Sequence, residues 1–205
     1  TVAHDMSPMM QIALRSGIGA VLIALVMVRQ HVSFALHKGP WQAGLLAGSF
    51  FAAEFIFIGE GLRYTSASRM VVFLYTAPIF TALGLHFLLP QERLTRMQWF
   101  GIGMSFSGIL LAFISGLFGA KLNADLLLGD VFALAAGLFW GMTTVILRCT
   151  KLNQIPATQT TQYQLLSAFF ILLIACALMD QLSINWTPTV IAAVTAQGVL
   201  IAFFS

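Results

Sequence analysis

Polar positions in this chain fall in short clusters, and between them lie seven long apolar stretches at residues 8–28, 41–62, 68–88, 99–118, 126–147, 161–179 and 187–205. A helix that crosses a bilayer core of about 30 Å needs ~20 mostly apolar residues, and each stretch, here spans A to G, comes close to that length. The runs are continuous and lack the period-two alternation of a membrane strand, so helices are predicted rather than a β-barrel. The expected fold class is an all-α membrane protein, a polytopic helical bundle of seven visible spans.

Turn and cap residues punctuate the pattern at Gly39-Pro40, Thr65-Ser66, Pro90-Gln91, Gly129-Asp130, residues 153–156 and residues 186–188. The breaks are short, so successive spans are expected to be antiparallel neighbours. The longest one, at 119–125, reads as the boundary between two halves. Trp41, Trp99 and Trp186 sit near span ends, as interfacial aromatics do, whereas Trp140 lies well inside span E. Span D carries Gly101, Ser105, Gly108, Ala112 and Ser115 on one helix face, a small-residue stripe expected to admit another backbone closely.

Composition narrows the function. The chain is 59% hydrophobic and only 8% charged, with a mean hydropathy of +0.91, against about 25% charged for soluble domains. The net charge of +3 is small and its cations are scattered, which argues against a nucleic-acid partner. Cys149 and Cys176 form no CxxC pair and read as free thiols. Gly101 and Gly103 begin a GxGxxG pattern, but Phe106 occupies its third position and no strand precedes it. No His/Asp cluster falls on one face, so neither a metal nor a cofactor is expected.

Loop charges set an orientation. The A–B, C–D and E–F breaks hold Arg29, Lys38, Arg93, Arg96, Arg148 and Lys151 against Glu92 alone. The opposite side has Arg63, Arg69 and Lys121 against Asp5, Glu60, Asp125, Asp130 and Asp180. The excess of Lys and Arg puts the first side in the cytoplasm, so span A runs from outside to inside. No charged n-region precedes it, and the last apolar run reaches Ser205 without a basic flank. The sequence is therefore expected to be a fragment, with at least one span before residue 1.

Residues 61–113 read GLRYTSASRMVVFLYTAPIFTALGLHFLLPQERLTRMQWFGIGMSFSGILLAF. This segment resembles the EamA-like repeat of the drug/metabolite transporter superfamily. The resemblance lies in a Leu-x-Tyr-Thr-Ser-Ala turn, a helix with a central Pro before Phe, a Glu-Arg-Leu-Thr turn, and a Gly-rich helix ending in Ser-Gly-Ile-Leu. GDVFALAAGLFWGMTTVILR, from Gly129, is similar to the opening helix of that family's second repeat, and residues 8–15 resemble its second helix, which often carries an Arg where Arg15 stands.

The resemblance implies ten helices in two inverted five-helix repeats, with spans A to G as helices two to eight and helices one, nine and ten missing. Residues 1–118 would be the first repeat without its first helix, 119–125 the inter-repeat loop, and 126–205 the second repeat truncated after its third helix. Because the repeats invert, spans A and F cross in opposite directions. Aligning residues 8–15 with 157–164 by spacing sets Gln164 at the position of Arg15. The implied activity is secondary transport of small organic metabolites, amino acids or drug-like compounds. The protein would be an exporter working by alternating access in a bacterial inner membrane, with protons as the candidate coupling ion and no enzymatic step. The alternatives are an intramembrane enzyme, or a structural or channel-forming protein. An intramembrane serine protease would need a nucleophile and base at depth, yet His86 is the lone span histidine and no Gly-x-Ser-x-Gly occurs.

Glu54 is the most costly residue, since an ionised acid in mid-span costs about 2.5–3.5 kcal/mol on insertion scales. It reads as a substrate or proton site facing a cavity, or as an interhelical hydrogen bond that fixes packing. Tyr75, Thr76 and Pro78 make a polar, kinked patch midway along span C, where Pro78 frees a carbonyl. Tyr75 and Gln164 are expected to accompany Glu54. Tyr163 and Gln164 belong to the polar run at 158–164, which either lines a vestibule or precedes the true start of span F. Trp140 closes a cavity or fills the bundle. Glu60 and Arg63 have the spacing of an ion pair, and Arg15 snorkels as a structural charge. Asp130 reads as a helix-start acid favourable to the dipole, and His86 as interfacial.

Overall fold

In a computed structural model, residues 6–32, 40–112 and 123–204 are described. The helices are α1 Pro8–Arg29, α2 Trp41–Gly61, α3 Ala67–Leu74, α4 Ala77–Leu88, α5 Arg96–Ala112, α6 Ala124–Cys149, α7 Ala157–Leu178 and α8 Pro188–Phe204. Short 3-10 turns at Pro90–Glu92 and Lys151–Gln154 precede α5 and α7. Among the described residues, five stretches are long and apolar enough to cross a membrane: Pro8–Arg29, Trp41–Gly61, Ala67–Leu88, Ala124–Cys149 and Ala157–Leu178. Span G corresponds to the shorter apolar helix Pro188–Leu200. The α5 helix covers the first part of span D, and the remainder, with Ser115, lies outside the described residues.

Local chemistry explains most boundaries. Ser7 caps α1 by accepting the Met10 N–H at 3.2 Å, and Pro8 fills the first turn, where its missing N–H costs nothing. Asn123 accepts the Leu126 N–H at 2.8 Å and Asp125 sits in the first turn, so α6 begins at Ala124. This corrects two expectations. Gly129 and Asp130 lie inside α6, not at a break, and Asp130 is beyond the first turn, where the dipole effect acts. Span F begins at Ala157, directly after Pro156, so the polar run at 158–164 is helical, and Gln159, Gln162 and Tyr163 are buried in it.

The chain forms two compact units. One comprises Thr1–Ala52 with Thr150–Ser205, the other Ala53–Cys149, so each takes residues from both sides of the expected boundary at 119–125. In the first, α1 packs against both α7 and α8. Ala20, Ile23 and Met27 of α1 form one buried cluster with Leu165 of α7. Close helix approach recurs twice there. A Cβ at Gly48 would lie 2.5 Å from Ser167 Cβ and 2.9 Å from the Tyr163 carbonyl. A Cβ at Gly198 would lie 2.8 Å from Ile18 Cβ and 3.4 Å from the Arg15 carbonyl. The offset that pairs Arg15 with Gln164 also pairs Ile18 with Ser167.

In the second unit α6 packs against α3 and α4. Its mating face carries Gly129, Ala133, Gly137 and Gly141 at four-residue steps, all buried. A Cβ at Gly137 would meet Thr76 Oγ1 at 2.8 Å and the Phe73 carbonyl at 3.0 Å; one at Gly141 would meet Phe80 Cβ at 2.8 Å and the Ala77 carbonyl at 2.9 Å. This is the small-residue packing of membrane helices, and the described glycines of span D stand apart from it. A Cβ at Gly101, Gly103 or Gly108 would meet nothing within 4 Å outside its own helix among the described residues, while the hydroxyls of Ser105 and Ser107 donate back to the carbonyls of Gly101 and Gly103. Gly137→Val is therefore expected to destabilise by about 1–3 kcal/mol, since backbone carbonyls cannot step aside. Gly103→Val should melt with the wild type in the same detergent, and equal melting of both variants would refute the packing argument.

Candidate functional site

The site grows from the interruption of span C. Ser66 caps α3 by accepting the Arg69 N–H at 3.4 Å. The ring of Pro78 excludes the carbonyl four residues back from helical bonding, and α3 ends at that residue, Leu74. The Phe73 carbonyl left at the break accepts from the Thr76 N–H at 3.1 Å and from Thr76 Oγ1 at 2.6 Å. The two half-helices α3 and α4 thus meet at Tyr75 and Thr76, with Gly137 of α6 seated against the junction.

Below the break a cavity of about 770 Å³ opens between α4, α6 and the turn leading to α5. Pro78, Thr81, Leu85, Trp140 and Thr144 line its walls, and residues 91–95 border it. Glu92 borders it too and accepts from Arg148 Nη2 at 2.8 Å. Arg148, in the last turn of α6, is favourable to that helix's dipole as well. The turn is braced by His86, whose Nδ1 accepts the Leu94 N–H at 2.9 Å and whose ring meets Trp99 edge-on at 5.8 Å. The cavity is apolar in its walls and polar at its mouth, which suits a small organic molecule with a few polar groups.

At the other end of the same helices lies a buried ion pair. Arg69 of α3, 4% exposed, donates through Nε to Asp130 Oδ1 at 3.1 Å and through Nη2 to Oδ2. Asp130 is 9% exposed and also accepts from Thr65 Oγ1 at 3.5 Å. Sequence reasoning assigned Arg69 to a loop and Asp130 to a dipole. The available signal was two opposite charges, each near the start of an apolar run on the same side.

The predicted site residues divide. Pro78 and Trp140 line the cavity together, and Thr76 is buried at the break. Glu54 and Tyr75 do not line it: Glu54 is 6% exposed within α2, and Tyr75, the C-cap that follows α3, is half exposed. Glu60 and Arg63 do pair, at 2.9 Å, with the Arg63 side chain largely exposed. Tyr163, Gln164 and Arg15 belong to the other unit. There Tyr163 is buried beneath Gly44 and faces Gln159 at 3.5 Å, while Gln164 and Arg15 are half-buried.

Comparison with known proteins follows the same lines. Residues 1–114 match the EamA-like transporter family. The chain is 23% identical over 204 residues to "Uncharacterized transporter YoaV" of Bacillus subtilis (strain 168), covering 98% of this chain and 68% of that protein. It is 32% identical over 111 residues to "Uncharacterized transporter in sor 3'region" of Acidianus ambivalens, covering 54% and 40%. A solved structure described as "Crystal structure of protein" superposes with a TM-score of 0.78 at 20% identity, over 97% of this chain and 68% of that one. That likeness speaks to the fold.

Proposed function

Because the chain belongs to the EamA-like transporter family, we propose that this multi-pass membrane transporter exports small organic metabolites, amino acids or drug-like compounds, by alternating access. The observation that carries the reading is the interrupted span Ala67–Leu88 opening onto the 770 Å³ cavity walled by Pro78 and Trp140. Discontinuous helices are where secondary transporters build substrate sites, since the break supplies backbone polar groups at membrane depth. Two five-helix inverted repeats, divided near 119–125, remain the proposed organisation. The matched approaches of Gly48 to Ser167 and Gly198 to Ile18 support it. Glu54, buried in α2, is the proposed proton site, with a bacterial inner membrane as the proposed location.

Two measurements test this reading. Proteoliposomes containing the protein should exchange at least one labelled compound from a panel of amino acids and drug-like amines, with a rate that depends on the pH gradient. Release of hydrolysed product from any panel member would favour the enzyme reading instead. Single cysteines replacing Arg96 and Lys151 should be shielded from an impermeant outside reagent, and one replacing Arg63 should react. The opposite pattern would invert the topology.

A further inference from the structure

The first unit holds a second cavity, of about 620 Å³, between α1 and α7. Leu14, Gly17, Val21 and Ala24 line one side and Leu166 and Phe169 the other, almost without polar surface. Gln162 is the polar residue in its lining. It is 4% exposed, and its Oε1 finds no hydrogen-bond partner among the described residues. Four residues earlier in the helix and outside the groove's lining, Thr158 has a buried Oγ1 that also lacks a hydrogen-bond partner among the described residues. A buried amide or hydroxyl without a partner costs roughly 1–3 kcal/mol, so such groups in folded proteins are met by a ligand, water or another chain. Which atom of the Gln162 amide faces inward is a matter of assignment, so the group both donates and accepts.

The arrangement is graded along the helix pair. Gln162 lies five residues into α7, roughly 7 Å below its start at the 1.5 Å rise of a helix, and Thr158 lies in the first turn. The apolar groove continues deeper, past Leu166 to Phe169 and Phe170. Toward this end of the pair, exposed Arg29 closes α1 and exposed Lys151 opens the turn before α7. Cations at the rim, hydrogen-bonding groups at ester depth and an acyl-sized apolar channel below describe one kind of occupant.

We propose that this groove is a binding site for an anionic glycerophospholipid. One acyl chain lies between α1 and α7, the ester region meets Gln162 and Thr158, and the phosphate faces Arg29 and Lys151. The occupant is a resident lipid of the first unit, independent of the transport reading. Juxtamembrane cations draw anionic headgroups, and the buried polar pair adds the ester contacts that a charge patch alone lacks.

The test uses purified protein in detergent, titrated with dioleoylphosphatidylglycerol or dioleoylphosphatidylcholine. The anionic lipid should raise the Tm by about 5 °C or more at saturation and remain as one adduct per chain in native mass spectra. Phosphatidylcholine and inorganic phosphate should each give under about a third of that shift. Val21→Trp, at a 62% exposed position of the groove wall, should block the groove and remove the adduct while the lipid-free protein melts with the wild type. Gln162→Leu with Thr158→Val should remove at least half the shift, and Arg29→Gln should erase the preference over phosphatidylcholine. Equal shifts with both lipids, or an adduct that survives Val21→Trp, would overturn the site. So would a Val21→Trp effect on the monomer–dimer ratio without loss of lipid, which would make the groove a contact between copies.

Discussion

Replacing Asp130 by alanine is expected to cost the fold about 3–5 kcal/mol, the usual penalty for removing one partner of a buried ion pair. Arg69 is 4% exposed, and Asp130 accepts from both its Nε and its Nη2. In a chain of this size the loss corresponds to a fall in Tm of roughly 10 °C in detergent. The double variant Arg69→Leu with Asp130→Leu should recover most of it, because apolar residues of similar volume often replace a buried pair without loss. The sign of that recovery separates a buried pair from a solvated one. If Asp130→Ala melts within about 2 °C of the wild type, the pair is hydrated and screened, and the argument fails. Should the apolar double variant fold well but lose transport, the pair would have a role in the cycle as well as in the fold.

Glu54→Gln is expected to abolish pH-dependent exchange while leaving the melting temperature near that of the wild type. Glutamine keeps the size and the hydrogen-bonding reach of the side chain and removes its charge and its proton. Glu54 is 6% exposed in the middle of a membrane-crossing helix, where an ionised carboxylate costs about 2.5–3.5 kcal/mol. A loss of at least tenfold in exchange rate, flat with pH, is the expected outcome. A variant with normal exchange and an unchanged pH profile would make Glu54 a packing residue. The same change at Glu60 should do less. Its partner Arg63 is largely exposed, and such a pair is worth about 0–1 kcal/mol.

What the sequence revealed and what it hid divide along physical lines. The spans were legible because bilayer thickness imposes a length on every apolar run, and the interruption of span C was legible because Pro78 cannot bond backward. Trp140, which lines the cavity with Pro78, was read from the sequence as either closing a cavity or filling the bundle. The Arg69–Asp130 pair was not legible, since it joins residues 61 positions apart and each alone looks like a loop charge. The glycine row on α6 was present in the sequence as Gly129, Ala133, Gly137 and Gly141, but an equally regular row on α5 competed with it. Spacing shows that a face is small; only packing shows which small face meets a backbone. Gln162 likewise looked like part of a wet helix end until burial placed it beneath α1's groove.

A mating face without side chains has no play in it. Where Gly129 abuts Thr65, Gly137 the Thr76 junction and Gly141 Phe80 and the Ala77 carbonyl, a Cβ would meet both side-chain and main-chain atoms within about 3 Å. No rotamer is available there to absorb a displacement of a few tenths of an ångström. Both halves of the interrupted span pack on this one rail, α6, so a displacement of α3 is expected to reach α4 through it. Compliance in this unit must sit elsewhere, and the long, exposed Arg148 arm to Glu92 is built like the slack link of such a linkage, able to stretch and re-form while the rail itself stays true.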